Sequence, residues 1–162
     1  PLHLGITEAG TLVPGLIKSS AGLAILLAEG IGDTIRYSLS ADPIEEVRAG
    51  YSLLRALGLR RRGVEVISCP TCGRTRLDVM GIATAIEKKL SDLTAPLRIA
   101  VMGCGVNGPG ESRHSDLGGV GTPKGIQVYL RGERMGTVAP DQLLDWLEAR
   151  ARELAAARTE PR

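Results

Sequence analysis

Phenylalanine is absent from the 162 residues, and aromatic side chains together make up only 2%. The core must therefore be packed with Leu, Ile, Val and Ala. The same scarcity excludes the stacking platforms that single-stranded nucleic-acid binding needs. Charge of one sign is also lacking: 20 basic and 18 acidic residues leave a net +2, too balanced for a nucleic-acid footprint. The run Arg60-Arg61-Arg62 reads as a solvated helix end. No apolar run is long enough to span a bilayer, and the longest, residues 23–28, reads as a buried helix face. No secretory signal is visible. Cysteine is scarce and odd in number, at three. A reducing, cytoplasmic setting is expected, in which clustered cysteines mean metal or redox chemistry rather than a disulfide framework. The chain does not begin with Met, and Pro1-Leu2-His3 reads as mid-domain sequence, so a fragment is expected.

What is there is an ordinary globular balance, 43% hydrophobic and 23% charged. Residues 2–6 read as a strand running into the polar turn Thr7-Glu8-Ala9-Gly10. Apolar residues at helical spacing (Leu16, Leu23, Ala24, Leu27) predict a helix over 14–29, stopped by Gly30 and Gly32. Residues 33–39 alternate as a strand. Asp42-Pro43 opens the next helix, Asp as cap and Pro at its first position, with Ile44, Val47, Tyr51 and Leu54 on one face. Strand–helix–strand–helix up to about Leu59 is the pattern of parallel α/β units. Residues 63–68 predict a strand running into Cys69-Pro70-Thr71-Cys72. Residues 78–90 predict a helix with Val79, Ile82, Ala83 and Ile86 inward. Residues 97–102 predict a strand running into a glycine-rich turn that holds Cys104. The stretch 103–125 reads as a long loop, a length that in a compact domain is usually functional or disordered. Residues 126–130 and 135–138 flank Arg131-Gly132-Glu133 as a hairpin. A helix over 140–157, with Leu143, Leu144, Leu147 and Leu154 on one face, closes the chain. One crossover plus a hairpin predicts an α+β second domain beginning near residues 59–63.

Cys69 and Cys72 form a C-x-x-C at a strand end, and Cys104 also lies at a strand end. If those strands are neighbours, all three thiols emerge at one sheet edge. Tight turns there aim backbone N–H groups inward and suit an anionic cluster. A four-iron cluster takes four ligands, usually thiolates; Glu111, a short glycine-rich turn after Cys104, can supply the fourth. A carboxylate is the more exchangeable ligand, which suits a catalytic cluster better than a pure electron carrier. Structural zinc, a thioredoxin-like C-x-x-C and inert buried cysteines remain alternatives on pattern alone. The lone C-x-x-C is a weak signal. The stretch Gly103 to Glu111 is more specific, because its glycines have no evident packing purpose in the sequence.

C-P-T-C followed by G-C-G-V-N-G-P-G-E closely resembles the family of 4-hydroxy-3-methylbut-2-enyl diphosphate synthases, iron–sulfur enzymes of the non-mevalonate (MEP) isoprenoid and terpenoid pathway. P-L-H-L-G-I-T-E-A-G and G-I-G-D-T-I-R-Y-S-L-S-A-D-P resemble it as well, in the family's order. The resemblance implies α/β plus α+β architecture. Residues 1–61 would be the last two βα units of an incomplete (β/α)₈, TIM-type barrel. Residues 62–162 would be a small ferredoxin-like or sulfite-reductase-half-like iron–sulfur domain. It implies an oxidoreductase that opens 2-C-methyl-D-erythritol 2,4-cyclodiphosphate and removes a hydroxyl reductively, with electrons from ferredoxin or flavodoxin. It also implies a homodimer in which the barrel of one subunit faces the cluster domain of the other.

By the same resemblance, Cys69, Cys72, Cys104 and Glu111 match the four ligands of a [4Fe–4S] cluster. Glu8 matches an acidic residue of the barrel mouth, a proton-donor candidate. Arg36 and Ser38 match the strand end that contacts the diphosphate, and Asn107 a cluster-domain residue near the substrate. Glu8 and Ser38 lie at the C-terminal ends of their predicted strands, where barrel active sites are built. Helix capping for Glu8 and a surface ion pair for Arg36 are the plain structural readings. Lys18 reads as a solvated helix residue, His3 as a strand residue and His114 as a loop residue. With the earlier barrel strands missing, the fragment is expected to be inactive alone. The alternative from another class is a non-catalytic zinc or iron–sulfur electron-transfer module.

Overall fold

Two three-residue strands organise the beginning of the chain. In the computed structural model, which describes residues 1–159, β1 (His3–Gly5) pairs in parallel with β2 (Thr34–Arg36), His3 opposite Thr34 and Gly5 opposite Arg36. Each strand leads into a helix: α1 (Leu12–Ala28) and α2 (Pro43–Ala56). Helix α1 buries Gly15, Ser19, Leu23 and Leu27, a stripe at four-residue spacing. Helix α2 starts where its sequence predicts, the Asp42 carboxylate accepting the Ile44 N–H at 2.9 Å. The two helices and two strands enclose Ala9, Leu23, Leu27, Tyr37, Leu39, Ala49 and Leu53.

The buried face of α2 matches the expected one only in part, Leu54 packing against the core as expected. Ile44 and Val47 are 58% and 60% exposed, whereas Ala49 and Leu53 are buried. The Glu46 carboxylate accepts the Leu39 N–H at 2.8 Å. That contact lies on the same side of the helix as the buried Ala49 and Leu53.

The chain divides into two units, Pro1–Arg61 and Arg62–Arg162. The second holds β3 (Val64–Ser68), α3 (Val79–Lys89), β4 (Leu97–Met102), α4 (Gly108–Arg113), β5 (Leu117–Thr122), β6 (Gly125–Leu130), β7 (Glu133–Val138), a 3₁₀ turn (Pro140–Gln142) and α5 (Leu143–Thr159). Its five strands lie in sequence order, β3-β4-β5-β6-β7. The first two pairings are parallel and the last two antiparallel. The ferredoxin-like element of the expected architecture gives way to this arrangement. A ferredoxin-like chain runs β–α–β–β–α–β, whereas here two helical crossovers come first and two hairpin connections follow.

Strand β4 reads Leu-Arg-Ile-Ala-Val-Met and is buried along all but Arg98, as a central parallel strand covered on both faces should be. On one face, α3 and α5 press Val79, Ile86, Leu90, Leu143, Leu147 and Ala151 onto Leu97, Ile99, Val101, Leu117, Ile126 and Val128. On the other, Ala100, Met102, Val120 and Tyr129 form a smaller cluster beside α4. The edge β6–β7 closes through Arg131 (φ 50°) and Gly132 (φ 83°), both left-handed as a two-residue type I′ hairpin requires.

The stretch expected as one long loop contains α4 and β5. The glycines of β5 hide it from a reading based on alternating hydrophobicity, yet packing demands them. A Cβ at Gly118 would collide with the Ser112 side chain of α4, and one at Gly119 would sit 2.8 Å from Leu143 of α5. Both helices approach β5 closely because that strand has no side chains there. Among the described residues, no helix is long and apolar enough to cross a membrane.

A candidate metal centre at the edge of the second sheet

Strands β3 and β4 are parallel neighbours in register, Ser68 opposite Val101. The residues that follow them therefore leave the sheet at the same edge. Cys69 comes directly after β3, and Cys104 two positions after β4. Both are half-buried, and Cys72 is exposed. The backbone N–H of Gly103 donates to the Cys69 sulfur at 3.2 Å.

The Cys72 turn is folded onto the Cys104 turn. The Thr75 N–H donates to the Cys72 carbonyl at 3.0 Å, and the Cys72 N–H donates back to the Thr75 hydroxyl at 3.2 Å. One residue on, the Arg76 N–H donates to the Gly103 carbonyl at 2.7 Å. Hydrogen bonding from the Arg74 backbone, followed by its side chain and charge and by Thr75, holds the Cys72 thiol below its usual range.

Of the four glycines between 103 and 111, Gly103 and Gly108 have a packing purpose that the sequence did not show, whereas a Cβ on Gly105 or Gly110 would meet nothing within 4 Å. A Cβ on Gly103 would stand 2.8 Å from the Thr75 hydroxyl oxygen, and one on Gly121 would stand 2.5 Å from the Gly103 carbonyl oxygen. A Cβ on Gly108 would collide with Val120. Three backbone segments thus meet at distances that only glycine permits.

Asn107 is the cap residue of α4, but its side chain makes no capping bond. Glu111 is exposed on α4, and its backbone carbonyl accepts the Ser115 hydroxyl at 2.9 Å. The structure brings Cys69, Cys72 and Cys104 onto adjoining, mutually bonded turns and sets Glu111 on the helix that follows. It does not gather them into a closed ligand set: among the described residues, no three His, Cys, Asp or Glu side chains could hold one metal ion. The chemistry of the donors, three thiols and a carboxylate, fits iron–sulfur ligation. The N–H aimed at the Cys69 sulfur fits it too. Sequence reasoning missed Thr75 and the Gly103 N–H; the only signal was a hydroxyl residue three positions after Cys72.

In the first unit, β1 and β2 end at Gly5 and Arg36, side by side. Thr7, Glu8 and Ser38 follow those ends. The Arg36 guanidinium donates to the Thr7 hydroxyl at 3.0 Å. Glu8 is exposed and holds a left-handed backbone, φ 56°, an uncommon conformation for a non-glycine residue. Its carbonyl accepts Lys18 Nζ at 3.4 Å. The structure therefore brings the Glu8, Arg36 and Ser38 segments together at the C-terminal ends of two parallel strands. Among the described residues, Glu8 makes no capping bond and Arg36 no ion pair.

Residues 65–153 match the GcpE protein C-terminal domain, and residues 1–51 match the GcpE TIM-barrel domain. The chain is 54% identical over 156 residues to the 4-hydroxy-3-methylbut-2-en-1-yl diphosphate synthase (flavodoxin) of Kocuria rhizophila, an alignment covering 96% of this chain and 40% of the relative. It is 55% identical to the protein of the same name from Tropheryma whipplei, covering 96% and 41%. It is 52% identical over 154 residues to that of Desulfotalea psychrophila, covering 95% and 42%. The chain thus spans about two fifths of the length of these relatives.

Proposed function

The chain belongs to the GcpE family, and from that premise we propose that it is the C-terminal part of a 4-hydroxy-3-methylbut-2-enyl diphosphate synthase. In this reading, residues 1–61 are the last two βα units of the barrel. Residues 62–162 are the cluster domain, related to a half of sulfite reductase. The whole protein is a cytoplasmic, homodimeric oxidoreductase of isoprenoid biosynthesis. It opens 2-C-methyl-D-erythritol 2,4-cyclodiphosphate and removes a hydroxyl reductively. Its electrons come from ferredoxin or flavodoxin; the names of the relatives favour flavodoxin. The fragment by itself lacks most of the barrel face and turns over nothing.

Cys69, Cys72, Cys104 and Glu111 would hold a [4Fe–4S] cluster, which when bound supplies electrons and Lewis acidity. The chain's own residues do the rest. Arg36 offers a planar, always-charged guanidinium to the diphosphate, oriented by its bond to Thr7. The Ser38 hydroxyl, two residues beyond, donates to the same group. Glu8 carries the proton that accompanies loss of the hydroxyl. Asn107, with its amide uncommitted to the helix, contacts the substrate from the cluster side.

One observation carries this reading: two cysteines leave neighbouring parallel strands at the same edge, joined by the Gly103 N–H to the Cys69 sulfur. Anaerobic reconstitution of the full-length protein, followed by iron and acid-labile sulfide analysis, tests it. About four of each per chain are expected. Stoichiometric zinc without sulfide would instead identify the non-catalytic metal module.

A further inference from the structure

We propose that Thr75 is a positioning residue for the metal centre, locking the Cys72 turn onto the Cys104 turn; the inference rests on the cluster reading above. Thr75 touches both turns at once. Its N–H donates to the Cys72 carbonyl at 3.0 Å, and its hydroxyl accepts the Cys72 N–H at 3.2 Å. The two bonds fix Cys72 from both sides of its peptide. The other face of the side chain covers Gly103: a Cβ there would lie 2.8 Å from the Thr75 hydroxyl oxygen and 3.0 Å from its methyl.

Gly103 in turn is tied to the remaining thiols. It precedes Cys104 in the chain, and its N–H donates to the Cys69 sulfur. One threonine side chain thus stands between Cys72 on one side and the residue bonded to both Cys69 and Cys104 on the other. Cys72 needs such a tether most, because it is the exposed member of the three and lies in a turn outside any strand or helix. Groups that orient ligands without binding the metal commonly control retention of the metal.

Threonine is suited to the task because its hydroxyl holds the Cys72 amide while hydroxyl and methyl together fill the space over Gly103. Thr75→Val keeps the methyl and removes the acceptor, while Thr75→Ser keeps the acceptor and removes the methyl.

The test uses the full-length, reconstituted protein and its two variants. Iron release to a chelator under anaerobic conditions is expected to be roughly 10- to 100-fold faster in Thr75→Val, the usual cost of losing such an orienting partner. Thr75→Ser should release iron at close to the parent rate. Hydrogen exchange of the Cys72 amide in the metal-free protein should quicken in Thr75→Val and not in Thr75→Ser. This second readout does not depend on a cluster. Parent-like iron release and parent-like exchange in a folded Thr75→Val protein would overturn the role of Thr75 and leave the cluster reading intact. Failure of the parent protein to take up iron and sulfide would overturn the cluster reading, and this inference with it.

Discussion

Gly103 donates its backbone N–H to the sulfur of Cys69 from the end of the neighbouring strand, at 3.2 Å. The bond exists because β3 and β4 are parallel and in register, and because position 103 carries no side chain. A Cβ there would meet Thr75 at 2.8 Å and Val79 at 3.2 Å. Gly103→Ala is therefore expected to push the Cys72 turn off the sheet edge. It should destabilise the second unit by about 1–3 kcal/mol, the usual cost of overpacking, measurable by urea unfolding. Iron retention should fall in the same variant. Unchanged stability would show that the Thr75 turn yields without strain.

Helix α4 rests on β5 through a notch. The Ser112 side chain is fully buried, its hydroxyl has no partner among the described residues, and it lies against Gly118. An unpaired buried hydroxyl costs about 1–3 kcal/mol. Ser112→Ala should accordingly be neutral or stabilising in thermal unfolding. Gly118→Ala should destabilise, because its methyl collides with Ser112. The double variant Gly118→Ala with Ser112→Gly should recover part of the loss, since contacting sites are not additive. Full additivity would show that the notch does not set the helix position.

The outer face of the second unit carries a charge network. Lys89 pairs with Glu148, and Arg152 reaches both Asp92 at 2.9 Å and Glu148 at 3.2 Å. The Lys89 hydrogen bond first, and then Arg152, hold Glu148 below its usual range. Arg152 does the same for Asp92. A carboxylate whose pKa is lower folded than unfolded stabilises fully above the unfolded value, about 4. That contribution is lost as pH falls through the lowered value. The melting temperature should thus fall as the solution is taken below about pH 4, and Glu148→Gln should make the fall shallower. These groups lie at the surface, so added salt should shrink the difference. Identical acid profiles for the two proteins would remove the network from the stability of the fold.

The parts legible in the sequence were those with a strong local signal. Asp42-Pro43 marked the start of α2 to the residue, and the apolar run 97–102 marked β4 exactly. The C-x-x-C and the later Cys104 were visible as a constellation, and the strands that bring them to one edge were readable. What failed was governed by tertiary contact. Glycines 118, 119 and 121 left β5 with almost no alternation, because helices and a carbonyl fill the space that side chains would take. The rotation of α2 goes with a bond across the turn that precedes the helix, from the Leu39 N–H to Glu46, which apolar spacing at Ile44 and Val47 does not reveal. Thr75 was invisible because its role depends on Gly103, a residue on another strand end.

Glu8, three residues beyond β1, keeps a left-handed backbone, φ 56°. Such a conformation costs a non-glycine residue about 1 kcal/mol or more. Glu8→Gly should raise stability by up to about 1 kcal/mol in thermal unfolding while removing the carboxylate. On the proposed role of Glu8 as proton donor, the same variant of the full-length protein should lose turnover. Glu8→Gln, which keeps both the strain and the shape, should lose turnover without the gain in stability. Undiminished activity in Glu8→Gln would assign the carboxylate no part in the chemistry.

On the proposed cluster reading, Glu111 gives the sharpest separation of holding a cluster from using it. Its carboxylate is exposed on α4 and makes no hydrogen bond or ion pair among the described residues, so folding does not depend on it. Glu111→Ala should leave the melting temperature within the range of an ordinary surface substitution, about 0.5 kcal/mol. Three thiols remain in that variant, and thiolates are the strong donors to iron. Most of the iron and sulfide should therefore stay with the full-length protein after reconstitution, while turnover falls by orders of magnitude. Glu111→Cys should retain iron at least as well and still not turn over, because a fourth thiolate exchanges less readily than a carboxylate. If Glu111→Cys were as active as the parent, the exchangeability of the glutamate would have no part in catalysis, and Glu111 would be only a substitute for a missing cysteine.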